Sequence, residues 1–112
     1  MAATFELKST EDSGYQFELL NSNGEVLLIS AEFEEKTTAE QAIQDVRVGS
    51  MMSEMISVGS GPAGEKFFII KNKAGQPLVK SQLFADEMMF NNVLHSVRDS
   101  ACIAAVQDLS AA

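Results

Sequence analysis

The sequence has a single cysteine, Cys102, so no intrachain disulfide can form and a small cystine-stapled scaffold is excluded. It is also short of basic residues, with 8 Lys and Arg against 16 Asp and Glu and a net charge of −8. Nucleic-acid binding runs on Lys and Arg neutralising phosphates, and there is no basic stripe interleaved with aromatics, so no nucleic-acid partner is expected. The same charge balance disfavours an anionic membrane surface. No apolar run approaches the roughly 18 residues that span a bilayer. Residues Met1 to Lys8 lack a charged leader followed by an apolar stretch, so no export signal is expected. These absences predict a soluble protein of a reducing, cytoplasmic compartment.

Catalytic grammar is equally sparse. His95 is the only histidine, and a metal centre needs several His, Cys or carboxylate ligands converging. A Cys–His nucleophile pair needs its members adjacent, whereas His95 precedes the end of a predicted helix and Cys102 follows it. His95 is expected to be solvated and Cys102 to be a small, partly buried hydrophobe. The acidic run Glu32, Glu34, Glu35 lacks the glycine bend and distal Glu of a calcium loop and reads as a solvated connector. The glycine-rich stretch from Gly59 to Gly64 joins two predicted strands, not a strand to a helix N-terminus, so it is a hairpin loop and no phosphate cradle. No metal, cofactor or catalytic residue is therefore assigned.

What is present is a repetition. Gly24 and Gly75 lie 51 positions apart, and at that offset the two halves align without a gap over most of their length. Phe17 meets Phe68, Asn21 meets Asn72, Leu27 meets Leu78, Ser30 meets Ser81, Phe33 meets Phe84, Val46 meets Val97 and Arg47 meets Arg98. Conservative pairs lie between them, such as Phe5 with Ile56, Leu7 with Val58 and Ile43 with Leu94. An internal repeat decides architecture before any motif does.

Each half has one pattern. An alternating stretch (Phe5, Leu7; Ile56, Val58) predicts a strand with one buried face, and Phe17 and Leu19, or Phe68 and Ile70, predict a second. Asn21 and Asn72 are suited to bond a tight turn through the side chain, and Gly24 and Gly75 supply its positive φ. Third strands are expected over Glu25–Ala31 and Gln76–Gln82, the latter with Pro77 near its start. The period then changes to 3.6: Ala39, Ala42, Ile43 and Val46, and at the same offset Phe90, Val93, Leu94 and Val97, mark one apolar helix face each. Thr37 with Glu40 has the spacing of a capping box, Asp86 is the expected N-cap of the second helix, and Gly49 is the expected stop of the first. Extended segments follow at Glu54–Val58 and Ala105–Leu109.

The predicted protein is thus one α+β domain over residues 1–112. It holds two tandem β-β-β-α repeats, about 3–52 and about 53–109, sharing one antiparallel sheet, with a closing C-terminal strand. One such unit has too small a core to be safe, and two sharing a sheet roughly double the buried surface.

The stretches NSNGEVLLIS through AEQAIQDVR, and NKAGQPLVKS through NNVLHSVR, resemble the YegP-like family of small, mostly bacterial proteins of uncharacterised function. The resemblance covers nearly the whole chain. It implies helices on one side of the sheet and C-terminal strands exchanged between the two units, and it implies no catalytic residue. The second helix departs from the family pattern in opening on DEMMFNN, with Phe90 where the first has Ala39.

Two candidate sites remain. Arg47 and Arg98 each follow the last core valine of their helix; they either complement the helix carbonyls or meet across the pseudo-twofold as an anion or metabolite site. On the sheet face opposite the core, Gln16 and Glu18 of the first half become Phe67 and Ile69 in the second, and Thr4 becomes Met55. Met55, Phe67 and Ile69 would form an apolar patch, and such patches mark interfaces unless something covers them. The reading that follows is a non-enzymatic binding module for a protein partner or for itself, with the arginine site as the alternative.

Overall fold

In a computed structural model describing residues 3–110, the order is β1 (Thr4–Ser9), β2 (Tyr15–Leu20), β3 (Val26–Ser30), α1 (Lys36–Gly49), β4 (Ile56–Ser60), β5 (Lys66–Lys71), β6 (Pro77–Lys80), α2 (Glu87–Ser100) and β7 (Ala105–Asp108). The strands form one seven-stranded sheet in the order β4-β5-β6-β3-β2-β1-β7. Neighbours are antiparallel except β1 and β7, which run parallel. The sheet is therefore mixed, not wholly antiparallel as the hairpin pattern predicts. A hairpin reverses the chain, but β7 arrives from a helix and docks on the chain's first strand, and such crossovers favour parallel pairing.

The turns explain the repeated Asn-x-x-Gly. Asn21 Oδ1 accepts hydrogen bonds from the backbone N–H of Asn23 at 2.9 Å and Glu25 at 3.0 Å. Asn72 Oδ1 accepts from Ala74 and Gln76, both at 2.9 Å. Gly24 and Gly75 adopt φ of +82° and +84°, a region that penalises any Cβ. A register shift follows each turn's first strand, at Leu19/Leu20 and at Ile70/Lys71.

The serine closing each third strand also acts twice in the same way. Ser30 Oγ accepts from Phe17 N–H at 2.9 Å and donates to Ala31 O at 2.7 Å. Ser81 Oγ accepts from Phe68 N–H at 3.0 Å and donates to Gln82 O at 2.9 Å. Both serines are buried, so each hydroxyl satisfies a strand donor that water does not reach.

Phe5, Leu7, Phe17, Leu19, Leu28, Phe68, Ile70 and Val79 of the strands pack with Ala39, Ala42, Ile43 and Val46 of α1 and Phe90 and Val97 of α2. Full burial of such large side chains contributes about 1.5–3 kcal/mol each. Phe90 makes edge-on contacts with Phe68 at 5.9 Å and Phe84 at 6.1 Å, whereas in the first half Phe33 stacks directly on Phe17 at 6.1 Å. Val93 and Leu94 are only partly buried against this core. Val58 is 58% exposed although its counterpart Leu7 is fully buried, because β4 is an edge strand and β1 lies inside the sheet.

The helix ends differ from the predicted signals in two places. α1 begins at Lys36 with Glu35 as N-cap and no side-chain cap bond, so Thr37 lies inside the first turn and no Thr37–Glu40 capping box forms. The antiparallel bridge between Tyr15 and Phe33 pins the preceding chain close to the sheet and starts the helix earlier. Asp86 does cap α2, accepting from Met88 N–H at 2.8 Å. α1 does end at Gly49, but by proximity to β5: a Cβ there would sit 2.7 Å from Ile70 Cγ2. Gly49 does not take a left-handed cap, and the chain leaves through tight turns, Met51 N–H to Val48 O and Met52 N–H to Gly49 O. The segment after α1 is a 3-10 turn over Ser53–Met55 before β4 begins at Ile56.

Candidate functional site

Strand alternation gives the sheet a second face, made of the residues between the core positions. One row crosses all seven strands through registered neighbours: Ser57, Ile69, Lys80, Ile29, Glu18, Glu6 and Gln107. Its chemistry divides at the β6–β3 seam. On the β2–β1 side, Lys8 bonds Glu18 at 2.7 Å and approaches Glu6 at 3.7 Å, and its ammonium pKa is raised, chiefly by the Glu18 hydrogen bond. On the β5–β6 side no carboxylate stands in the row: Ile69 is flanked by Ser57 and Lys80, and Ile29 lies across the seam.

There, Ile29, Phe67, Ile69, Pro77 and Lys80 line an open groove of about 560 Å³. Phe67 and Ile69 are half-buried, and Ile29 is 45% exposed. The Phe67 ring lies across its cross-strand neighbour Gly59, where a Cβ would come within 2.4 Å of ring carbon Cζ. Lys80 Nζ stands 4.5 Å from the centroid of the same ring. An exposed cation–π contact of this kind is worth about 0.5–1 kcal/mol, so Phe67 is held in place before any partner arrives. Ile29 and Lys80 were not singled out in the sequence, although each alternates with a core residue, Leu28 or Val79, and so had to face this side.

Met55 is not part of this surface. It sits in the 3-10 turn after α1 and lines a separate cleft with Val48, Gly49, Met52 and Lys71. The offset that places it opposite Thr4 fails there because the chain is still turning out of the helix.

The two arginines share no partner. The Arg47 guanidinium donates to Ala104 O and to Gln44 Oε1, and lies 5.8 Å from the Phe5 ring centroid. Arg98 donates to Ser53 Oγ at 3.3 Å. Residues 53 and 104 are themselves 51 apart, so each arginine holds the turn that follows the other half's helix. Lys36 at the start of α1 pairs with Asp108 of β7. That hydrogen bond, then two from Ser110, holds the Asp108 carboxyl at about 2.

The remaining sequence candidates are peripheral. His95 is exposed and lies 3.1 Å from Asp99, and Cys102 is half-buried. Glu32, Glu34 and Glu35 are exposed. Among the described residues no three His, Cys, Asp or Glu side chains converge as a metal site would require, and no helix is long and apolar enough to cross a membrane.

Comparison with known proteins places this geometry. Residues 11–50 match the model of a domain of unknown function, DUF1508. A UPF0339 protein of Pseudomonas aeruginosa is 32% identical over 98% of this chain and 100% of its own length. The UPF0339 protein YegP of Escherichia coli K12 is 31% identical over 96% of this chain and 98% of its own. The solution NMR structure of E. coli YegP, a protein of unknown function, superimposes with a TM-score of 0.92 at 29% identity, covering 100% of this chain and 97% of that one. The NMR structure of a UPF0339 protein from Shewanella oneidensis gives a TM-score of 0.93 at 24% identity over 98% and 93% of the two chains, a likeness of fold. With one mixed sheet, two helices and relatives matched along nearly their full length, the chain belongs to the UPF0339 family of YegP-like proteins.

Proposed function

We propose that this protein is a non-enzymatic interaction module, built from two fused β-β-β-α units with both helices on one side of the sheet. The other side is left to bind a protein partner or a second copy. The observation that carries the reading is the groove of Ile29, Phe67 and Ile69, apolar and open beside an acidic half-face. Exposed apolar surface rimmed by polar groups is what interfaces use. Phe67 is the anchor: a large ring already fixed by Gly59 beneath it and Lys80 beside it loses little entropy on binding. Among the described residues neither His95 nor Cys102 lines the groove, which favours binding over catalysis there.

The test is Phe67→Glu, with Phe67→Tyr as the conservative control. Phe67→Glu is expected to change the association state or abolish partner capture while circular dichroism and cooperative unfolding persist, and Phe67→Tyr is expected to retain binding. If Phe67→Glu and the parent elute identically as monomers and hold every partner equally, the reading is wrong.

A further inference from the structure

The two outer strands of the sheet are treated unequally. β1 carries β7 along its outer edge, with Thr4 beside Ala105 and Leu7 beside Asp108, and Leu109 N–H donating to Leu7 O at 2.7 Å. β4 occupies the position in the second half that β1 occupies in the first, and it ends the sheet. The segment that would correspond to β7 on that side is the one just after α1, and it is consumed in leading into β4 itself.

The backbone groups on the bare edge follow from the ladder. Gly61 N–H donates to Glu65 O, so Ser57 and Gly59 point to β5, and Val58 and Ser60 turn theirs outward. β4 reads ISVGS, with no Lys, Pro or other charge, the devices that usually blunt an edge. Val58, on that edge, is 58% exposed.

The occupied edge shows what a strand in this position needs. β7 is held at its start by Arg47 on the Ala104 carbonyl and at its end by Lys36 on Asp108. The counterparts beside β4 are Arg98 and Glu87. Arg98 is exposed, with one long bond to Ser53 Oγ, and is free to take a carbonyl instead. Glu87 reverses the charge of Lys36; its side chain is 70% exposed and bonds Lys66, whose strand position pairs with Ser60 at the far end of β4. Asp86, the N-cap of α2, adds a second carboxylate next to Glu87 at this corner. A second copy's β7 would bring Asp108 into that acidic corner, so its charge suits β1 and not β4.

We propose that the β4 edge binds an extended segment of a basic partner protein, running parallel to β4. An apolar side chain lies opposite Ile56, and a Lys or Arg lies opposite Val58 to meet Glu87. Strand addition of this kind takes its affinity from main-chain hydrogen bonds and its selectivity from alternate side chains. The overall charge of −8 favours the same class of partner. The inference rests on the sheet edge and is independent of the Phe67 groove.

The experiment titrates the full chain, followed by amide NMR, with two heptapeptides: the sequence of residues 104–110, and the same peptide carrying Asp108→Lys. The Lys peptide is expected to shift Ile56–Ser60 and to bind about fivefold more tightly than the native-sequence peptide, the swing of one exposed ion pair from repulsive to attractive. Glu87→Lys, at an exposed site, is expected to reverse that preference. Val58→Pro, which removes an outward N–H while sparing the bonds to β5, is expected to abolish binding of both. The proposal is overturned if neither peptide shifts β4 at millimolar concentration, if Glu87→Lys leaves the preference unchanged, or if the protein dimerises through β4 and so already fills the edge with its own copy.

Discussion

Ser30→Ala is the sharpest probe of how this fold is held together. The hydroxyl is buried, takes the N–H of fully buried Phe17 at 2.9 Å and gives its own proton to Ala31 O at 2.7 Å. Alanine leaves the Phe17 donor in an apolar interior with no water to replace the lost oxygen. An orphaned buried donor costs about 1–3 kcal/mol, against a gain of a few tenths for burying a methyl in place of a hydroxyl. The net expectation is a loss of about 1–2 kcal/mol, which is large against a total stability of roughly 5–15 kcal/mol. At roughly 4 °C per kcal/mol for a domain this size, Tm falls by about 4–8 °C. Urea unfolding should show a lower midpoint at unchanged slope, and the Phe17 amide should exchange faster than its neighbours. Ser81→Ala, with bonds of 3.0 and 2.9 Å, should lose a similar amount. Ser22→Ala, at an exposed hairpin tip, is the control and should stay within about 0.5 kcal/mol of the parent. A Ser30→Ala protein that unfolds with the parent, or no earlier than Ser22→Ala, refutes the reasoning.

Three further perturbations follow from geometry already given. The Asp108 carboxyl is lowered from 3.8 to about 2, so its pairing stabilises the docked β7 above pH ~4 and loses that contribution as pH falls toward 2. Protection of the Leu109 amide, taken relative to its intrinsic exchange rate, should fall through that window, less so in high salt, and Asp108→Asn should flatten the response. Gly49→Ala should destabilise: overpacking against the rigid, buried Ile70 costs about 1–3 kcal/mol, while the helix-propensity gain is only about 1 kcal/mol, so a raised urea midpoint would contradict the contact. Gly24→Ala meets no atom within 4 Å, so its loss of about 1–2 kcal/mol in thermal unfolding is backbone strain alone, and Gly24→Asn should recover part of it.

Local order was legible wherever one stretch of chain determines it. The Asn21 and Asn72 turns, the Phe17 and Phe68 strands and the Ala39–Val46 helix face need only neighbours in sequence, and each forms where its periodicity places it. The outward pair Phe67 and Ile69 follows from the same alternation. What pattern alone does not carry is long-range placement. Arg47 looks like a cation complementing its own helix end, yet its partner is a carbonyl 57 residues away. Val58 carries the pattern of a core residue, and only its place at the rim of the sheet exposes it. Met55 keeps its register number but loses its strand, because the exit from α1 needs a turn there. For β7 the pattern marks a closing strand, and the resemblance implies its exchange between the units, but its parallel sense was illegible: no local signal in four residues names a partner strand a hundred positions earlier.

That pair gives the chain a mechanical property. A force applied to its two ends pulls β1 from Thr4 and β7 from Asp108, which lie at opposite ends of the paired segment. The load is then shear, shared by every bond of the ladder at once, where a hairpin drawn from its open end would unzip one bond at a time. The sheet should yield late and abruptly under tension.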